Sequence, residues 1–147
     1  MRCLKIEDKY IRLILSGLKT WEIRLRPNSI EERIAIGSTK TKKVEGYVNL
    51  FKSQKATVEQ LLKYPEKHRA SEFIASYAKG REYLHYWPMS KSERELNPYP
   101  YSFSTGSWCK ANRVIILDDN PFSIACYLEE FGDKSTNPNK NIDGQRL

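Results

Sequence analysis

The chain has 147 residues, of which 39% are hydrophobic and 12% aromatic; this is enough apolar material for one folded domain and excludes a wholly disordered chain. No apolar run approaches the ~18–20 residues that cross a bilayer, and the start of the chain has no continuous hydrophobic stretch, so we expect an intracellular, cytoplasmic protein without a signal peptide. The formal net charge is +7, and residues 1–55 account for it with 13 basic and 6 acidic side chains. This asymmetry favours nucleic acid as a partner over a membrane surface.

The N-terminal segment predicts a short strand followed by a helix. Residues Met1–Ile6 alternate in polarity, and Asp8 is a candidate N-cap for the next element. Gly17 can end that helix in the left-handed conformation. The helix buries one face because its apolar residues follow the i, i+3, i+4, i+7 pattern: Ile11, Ile14, Leu15 and Leu18.

The segment from Thr20 to Arg26 is the clearest strand, because polar and apolar residues alternate strictly along it. Side chains alternate between faces with a period of two. Trp21, Ile23 and Leu25 are therefore predicted on one face, and Thr20, Glu22, Arg24 and Arg26 on the other.

The rest of the chain predicts many short strands and few helices, which is typical of an α+β, barrel-like fold. Thr57 and Gln60 form a capping-box pattern, and a second helix is expected from Ser71. Prolines 98 and 100 predict an extended loop over Ser90–Tyr101. A last helix is expected over Pro121–Phe131. The predicted strands are Arg33–Gly37, Val44–Phe51, Tyr83–Trp87 and Trp108–Leu117.

The chemistry of the chain is concentrated between Lys19 and Arg24. Glu22 and Arg24 are two residues apart on one strand, so they project from the same face and can pair. An arginine fork binds carboxylates or phosphates in a bidentate manner. Lys19, at the preceding turn, can reach over the same face. An acid and two bases in a partly dry site shift one another's pKa values.

The segment Gly17–Arg24 resembles the GxKxxExR signature of the ASCH domain, a family in the PUA-like superfamily, at all four defining positions. Weaker similarity extends the resemblance over about residues 1–110. The resemblance implies a small PUA-like β-barrel with flanking helices over residues 1–117, and leaves 118–147 as a C-terminal extension, predicted to be partly disordered. It also implies that the signature lines a cleft that binds RNA or a modified nucleoside or nucleotide.

The same resemblance leaves the activity open. Some members are similar to ribonucleases that need a divalent metal, Mn²⁺ or Mg²⁺; here Lys19 would stabilise the phosphate and Glu22 would act as base or ligand. Another subgroup hydrolyses N4-acetylcytidine with a threonine nucleophile at the position of Glu22, for which Thr20 is a weak substitute. A non-catalytic binding module and an interaction scaffold are the alternatives. No metal-binding motif is present in the sequence.

Several residues outside the signature are candidate ligand contacts. Arg26, Lys40, Lys42 and Lys43 are predicted to form a phosphate-binding rim, although a run of charge is commonly only a solvated face. Ser38 is a further candidate ligand contact. Trp87 and Tyr101 are candidates for stacking on bases, with core packing as the alternative.

Overall fold

The computed structural model describes residues 1–116, 126–129, 131–134 and 138–142, with side chains described up to residue 112. The described part contains four helices and eleven strands. The helices are α1 (Asp8–Leu15), α2 (Val58–Leu61), α3 (Pro65–His68) and α4 (Ser71–Ala78). The strands are β1 (Arg2–Ile6), β2 (Trp21–Arg24), β3 (Glu32–Ser38), β4 (Lys43–Leu50), β5 (Gln54–Thr57), β6 (Tyr83–Pro100), β7 (Trp108–Lys110), β8 (Arg113–Ile116), β9 (Cys126–Glu129), β10 (Phe131–Lys134) and β11 (Pro138–Ile142).

Seven strands form one mixed sheet in the order β2-β6-β4-β3-β1-β7, with β5 also paired to β6. Strands β1 and β3 are parallel, and the other pairs in the sheet are antiparallel. The α+β class is confirmed. Within the described residues β2 and β7, at the ends of the order, do not pair, so the predicted barrel is not confirmed.

The sheet buries apolar side chains on both faces, as the near-continuous hydrophobic run of β3 requires. Ile34 and Ile36 lie in the largest core cluster with Ile11 and Ile14 of α1, whereas Ala35 between them lies in a separate cluster with Cys3. Helix α1 therefore packs on one face, along the apolar stripe that its spacing predicts. A third cluster joins β2, α2 and α4.

The start of α1 differs from the prediction by one residue. Glu7 is the N-cap, and Asp8 is the first helical residue. The Asp8 carboxylate accepts a hydrogen bond from the Ser38 hydroxyl at 2.8 Å and also pairs with Arg12. A carboxylate in the first turn still complements the helix dipole, so the residue type suits this position without capping the helix.

The segment predicted as an extended loop over Ser90–Tyr101 is extended, but it is not a loop, because β6 continues through it to Pro100. Its register against β4 shifts between the pairs Gly46↔Arg94 and Val44↔Tyr99. Residues 95–98 of β6 therefore lie opposite the single residue Glu45 of β4 and bulge out of the ladder. Pro98 lies in this bulge, where its missing N–H costs no ladder hydrogen bond.

The C-terminal part adds two separate antiparallel pairs, β8 with β9 and β10 with β11. Strand β9 contradicts the helix predicted over Pro121–Phe131 for residues 126–129, and β10 does so for Phe131. Residues 121–125 and 130 lie outside the described residues. Among the described residues no helix is long and apolar enough to span a membrane.

Candidate functional site

The turn between α1 and β2 places Lys19 inside the protein. Gly17 adopts a φ of 82°, which glycine tolerates and other residues rarely adopt. The N–H groups of Leu18 and Lys19 both donate to the Leu13 carbonyl, and the Thr20 N–H donates to the Lys67 carbonyl at 2.9 Å. The main chain is thus fixed on both sides of Lys19, whose side chain turns inward.

The Lys19 ammonium is only 2% exposed and has three neighbours. It donates to the His68 carbonyl at 2.6 Å, lies 3.6 Å from Glu22 Oε1, and lies 4.7 Å from the centre of the Tyr10 ring. Burial lowers the pKa of Lys19, because desolvation penalises the charged form; Glu22 opposes this shift. A buried lysine of this kind is a feature of functional sites.

His68 positions its carbonyl group for Lys19 through a buried ring. Its Nδ1 accepts from the Ala70 N–H at 2.9 Å, so Nε2 carries the proton and donates to the Leu61 carbonyl at 2.7 Å. Burial lowers the pKa of His68, which favours this neutral form. The histidine is satisfied within the protein and has a structural role.

Glu22 and Arg24 pair as their positions predict. Glu22 Oε2 accepts a hydrogen bond from Arg24 Nε at 2.8 Å and forms an ion pair with Nη2, also at 2.8 Å. The guanidinium also donates to the Lys5 carbonyl at 2.9 Å and to the Ser107 hydroxyl at 3.2 Å, and lies 5.7 Å from the centre of the Trp87 ring. Arg24 therefore connects β2, one end of the sheet order, with β1 and with the residue before β7, the strand at the other end.

A cleft of about 210 Å³ opens beside these charges, at the outer edge of β2. Its volume is several times the ~30 Å³ share of one water in the liquid, so it can hold a ring-sized ligand. One wall is aromatic: Phe73 contacts Tyr10 edge-on, with ring centres 6.1 Å apart, and Tyr77 at 4.4 Å. The lining residues are Glu7, Tyr10, Lys19, Glu22, Ile23, Arg24, Ala70, Phe73 and Tyr77.

The aromatic wall of the cleft was not predicted from the sequence, and the predicted stacking residues Trp87 and Tyr101 lie elsewhere. Trp87 is 4% exposed and its Nε1 donates to the Arg26 carbonyl at 3.0 Å, so it belongs to the core. The Tyr101 hydroxyl donates to the Ser38 carbonyl at 2.9 Å, away from the cleft. The spacing of Phe73 and Tyr77 on α4 is the signal that identifies one helix face, but it indicates core packing equally well.

The predicted rim residues and Ser38 also lie outside the cleft lining. Ser38 is fully buried, and its hydroxyl accepts from the Lys40 and Thr41 N–H groups, so it shapes the turn after β3. Lys40 and Arg26 are exposed and do not line the cleft. Thr20, the weak nucleophile candidate, does not line it either.

The donor set of the cleft does not fit a divalent metal. Its two carboxylates are Glu7 and Glu22, and Glu22 already contacts both Lys19 and Arg24. In the part of the chain with described side chains, no group of three or more histidine, cysteine, aspartate or glutamate residues could hold a metal ion. Hard cations need several oxygen ligands, so we derive no step through Mn²⁺ or Mg²⁺.

The described residues thus combine an open α+β sheet with a Lys-Glu-Arg cluster at a cleft. The family model of the ASCH domain matches residues 4–108, which is most of the chain. The chain therefore belongs to the ASCH domain family.

Solved structures show the same fold. The ASCH protein from Zymomonas mobilis matches with a TM-score of 0.60 and 22% identity over 67% of this chain and 72% of that one. Two single-substitution mutants of the same protein match with a TM-score of 0.60 and 22–23% identity, over 67% of this chain and 72–74% of theirs. No functionally curated protein matches the chain significantly.

The lowered pKa of Lys19 predicts a pH-dependent stability. Between that lowered pKa and its ordinary value of about 10.5, the unfolded chain binds more protons than the folded protein. The free energy of unfolding therefore gains a contribution from Lys19 as the pH rises through this window. Lys19→Met lacks that contribution. Urea unfolding of both proteins from pH 7 to 10 measures it, because the difference cancels the groups that they share. A difference that is constant with pH would contradict a lowered Lys19 pKa.

Proposed function

We propose that this ASCH domain binds single-stranded RNA and holds one nucleobase in the cleft beside Lys19, Glu22 and Arg24. The observation that carries the proposal is a buried ammonium that lines an open cleft. One of its three N–H groups donates to the His68 carbonyl at 2.6 Å, and a second faces the ion-pair partner Glu22 at 3.6 Å. The third is available to a ligand, since no further acceptor contacts it among the described residues.

The charge balance of the cleft favours a base over a phosphate as its occupant. Lys19 and Arg24 are offset by Glu22 and Glu7, so the four charged side chains that line the cleft sum to zero. A phosphate would need an excess of positive charge. A neutral planar ring can instead stack against the aromatic wall, where each base–aromatic contact contributes about 1–3 kcal/mol. The phosphates of the strand then lie outside, toward the basic surface of the protein.

Binding of fluorescein-labelled single-stranded RNA, followed by anisotropy, tests the proposal. We expect Lys19→Met to weaken binding at least tenfold, because the loss of a charged hydrogen-bond donor costs about 1.5–3 kcal/mol. Lys63→Met is the matched control, because Lys63 is exposed and does not line the cleft. We expect the RNA affinity of this variant to change by less than about twofold, as for the loss of one surface charge that attracts phosphate.

Two results would contradict a binding module. Equal affinities for the Lys19→Met and Lys63→Met variants would remove the cleft from the binding site. Cleavage of the RNA by the unmodified protein, read on a gel from the same samples with and without Mn²⁺ or Mg²⁺ and absent with Lys19→Met, would make the domain a ribonuclease instead.

A further inference from the structure

Ile23 lines the cleft although it also belongs to a core cluster. Its residue is only 3% exposed, and its side chain packs in the cluster of β2, α2 and α4 with Ile74 and Leu84. The same residue is nevertheless part of the cleft wall. What the cleft meets at this position is therefore the peptide backbone at the edge of β2.

The ladder between β2 and β6 fixes the direction of the Ile23 peptide groups. The Met89 N–H donates to the Thr20 carbonyl at 2.8 Å, whereas the Pro88 carbonyl accepts from the Phe51 N–H, on the opposite side of β6. Successive residues of a strand alternate in the side to which they hydrogen-bond. In this stretch of β6 the N–H and C=O groups of odd-numbered residues therefore point toward β2, and those of even-numbered residues point away from it.

The unbroken register then determines which β2 residues are paired. Glu22 and Arg24 lie opposite Trp87 and His85 and hydrogen-bond within the ladder, whereas Ile23 lies opposite Tyr86 and does not. Its N–H and C=O point away from β6. Strand β2 is the last in the sheet order, so no strand covers that edge within the described residues.

The Ile23 peptide groups are thus a donor and an acceptor, side by side, at the wall of a cleft. No turn, loop or cap hydrogen bond reaches them from elsewhere in the described chain. Buried main-chain polar groups are nearly always paired with protein, water or ligand. This pair therefore faces the occupant of the cleft.

We infer that the main chain of Ile23 recognises the base edge, and that the base is one with a ring N–H beside a carbonyl, as in uracil. The inference rests on the proposed function. The Ile23 N–H donates to the base carbonyl, and the Ile23 C=O accepts from the ring N–H. Lys19 and Arg24 can only donate, so they favour a further carbonyl on the base over an amino group. The aromatic wall favours a planar ring over an extended peptide, the other ligand that pairs with a strand edge.

Two methyl isomers of oligouridine test this inference on the ligand side. In 3-methyluridine a methyl group replaces the hydrogen of the ring N–H from which the Ile23 C=O would accept. In 5-methyluridine the methyl group lies away from that edge of the base. We expect the 3-methyl oligomer to bind at least tenfold more weakly than oligouridine, as for loss of a paired base contact. The 5-methyl oligomer should stay within about threefold of oligouridine.

The protein side is tested by an ester in place of the amide that precedes Ile23, introduced with the matching hydroxy acid. This change removes the N–H and keeps the side chain. We expect it to weaken oligouridine binding about tenfold, and the discrimination against the 3-methyl isomer should remain, because the ester keeps the Ile23 C=O that accepts from the ring N–H. Thermal melting of the ester protein confirms that it is folded.

The outcomes separate the inference from the proposed function. Equal affinities for the two methyl isomers, with RNA still bound through Lys19, would overturn the inference alone. Displacement of bound oligouridine by a generic extended peptide would replace base recognition by strand addition. Absence of binding to every oligonucleotide would overturn both proposals.

Discussion

Glu22→Ala should destabilise the protein by about 3 kcal/mol, whereas Lys19→Met should change its stability by less than about 1 kcal/mol. The asymmetry follows from what each substitution leaves behind. Without Glu22, the Lys19 ammonium is buried with only a carbonyl as its polar partner, and Arg24 loses a hydrogen bond and an ion pair. An uncompensated buried charge costs about 3–5 kcal/mol.

Lys19→Met removes the buried charge itself. Methionine fills a similar unbranched volume and needs no polar partner. The substitution leaves the His68 carbonyl without a donor, which costs about 1 kcal/mol or more. The relief of lysine desolvation offsets this cost, and Glu22 keeps its hydrogen bond and ion pair with Arg24. We therefore expect the Lys19→Met protein to lose RNA binding and to remain folded, because a residue that serves function need not contribute to stability.

Urea unfolding at pH 7 of both single variants and of Lys19→Met/Glu22→Ala measures these energies. The double variant should be more stable than Glu22→Ala alone, because it no longer contains the unpaired ammonium. Lys63→Met serves as the exposed lysine control. If Lys19→Met costs as much as Glu22→Ala, the lysine is a structural element, and the cleft loses its main candidate for ligand binding.

Local patterns predicted the parts of the site that depend on one strand. Strict alternation places Glu22 and Arg24 on the same face, and the structure confirms their pairing. A period of two is a property of the strand alone, so no tertiary information was needed. The left-handed Gly17 at the end of α1 is equally local.

Parts of the site that depend on packing between distant segments were not predictable in this way. Tyr10 and Phe73 lie on α1 and α4, and only the packing of both helices beside β2 makes them a wall of the cleft. In the sequence Trp87 lies just before a predicted loop, which made it a candidate for base stacking. The continuation of β6 through that segment buries it instead. The free edge of Ile23 follows from the strand order, which alternation does not determine.

Arg24→Lys keeps the positive charge and should still cost about 2–3 kcal/mol of stability and about tenfold in RNA affinity. A guanidinium presents donors in a rigid fork, whereas an ammonium is a point donor. The Arg24 fork contacts Glu22, the Lys5 carbonyl and the Ser107 hydroxyl at the same time. A lysine at this position cannot contact all three partners at once. It therefore cannot keep both the contact with Glu22 and the hydrogen bond that links β2 to β1.

Arg33→Lys is the matched control for this substitution. Arg33 also makes several hydrogen bonds, to Asn49, to the Lys91 carbonyl and to Glu93, but it is more exposed and lies away from the cleft. We expect a cost below about 1 kcal/mol, as for exposed ion pairs, and unchanged RNA binding. Equal costs at both positions would mean that Arg24 does not hold the ends of the sheet together. The contact between Trp87 of β6 and Trp108 of β7, with ring centres 6.1 Å apart, would then be the link between the two ends of the sheet, because β6 is the strand that pairs with β2. A larger cost at Arg24 would instead show that this cleft residue also stabilises the contact between the two ends of the sheet.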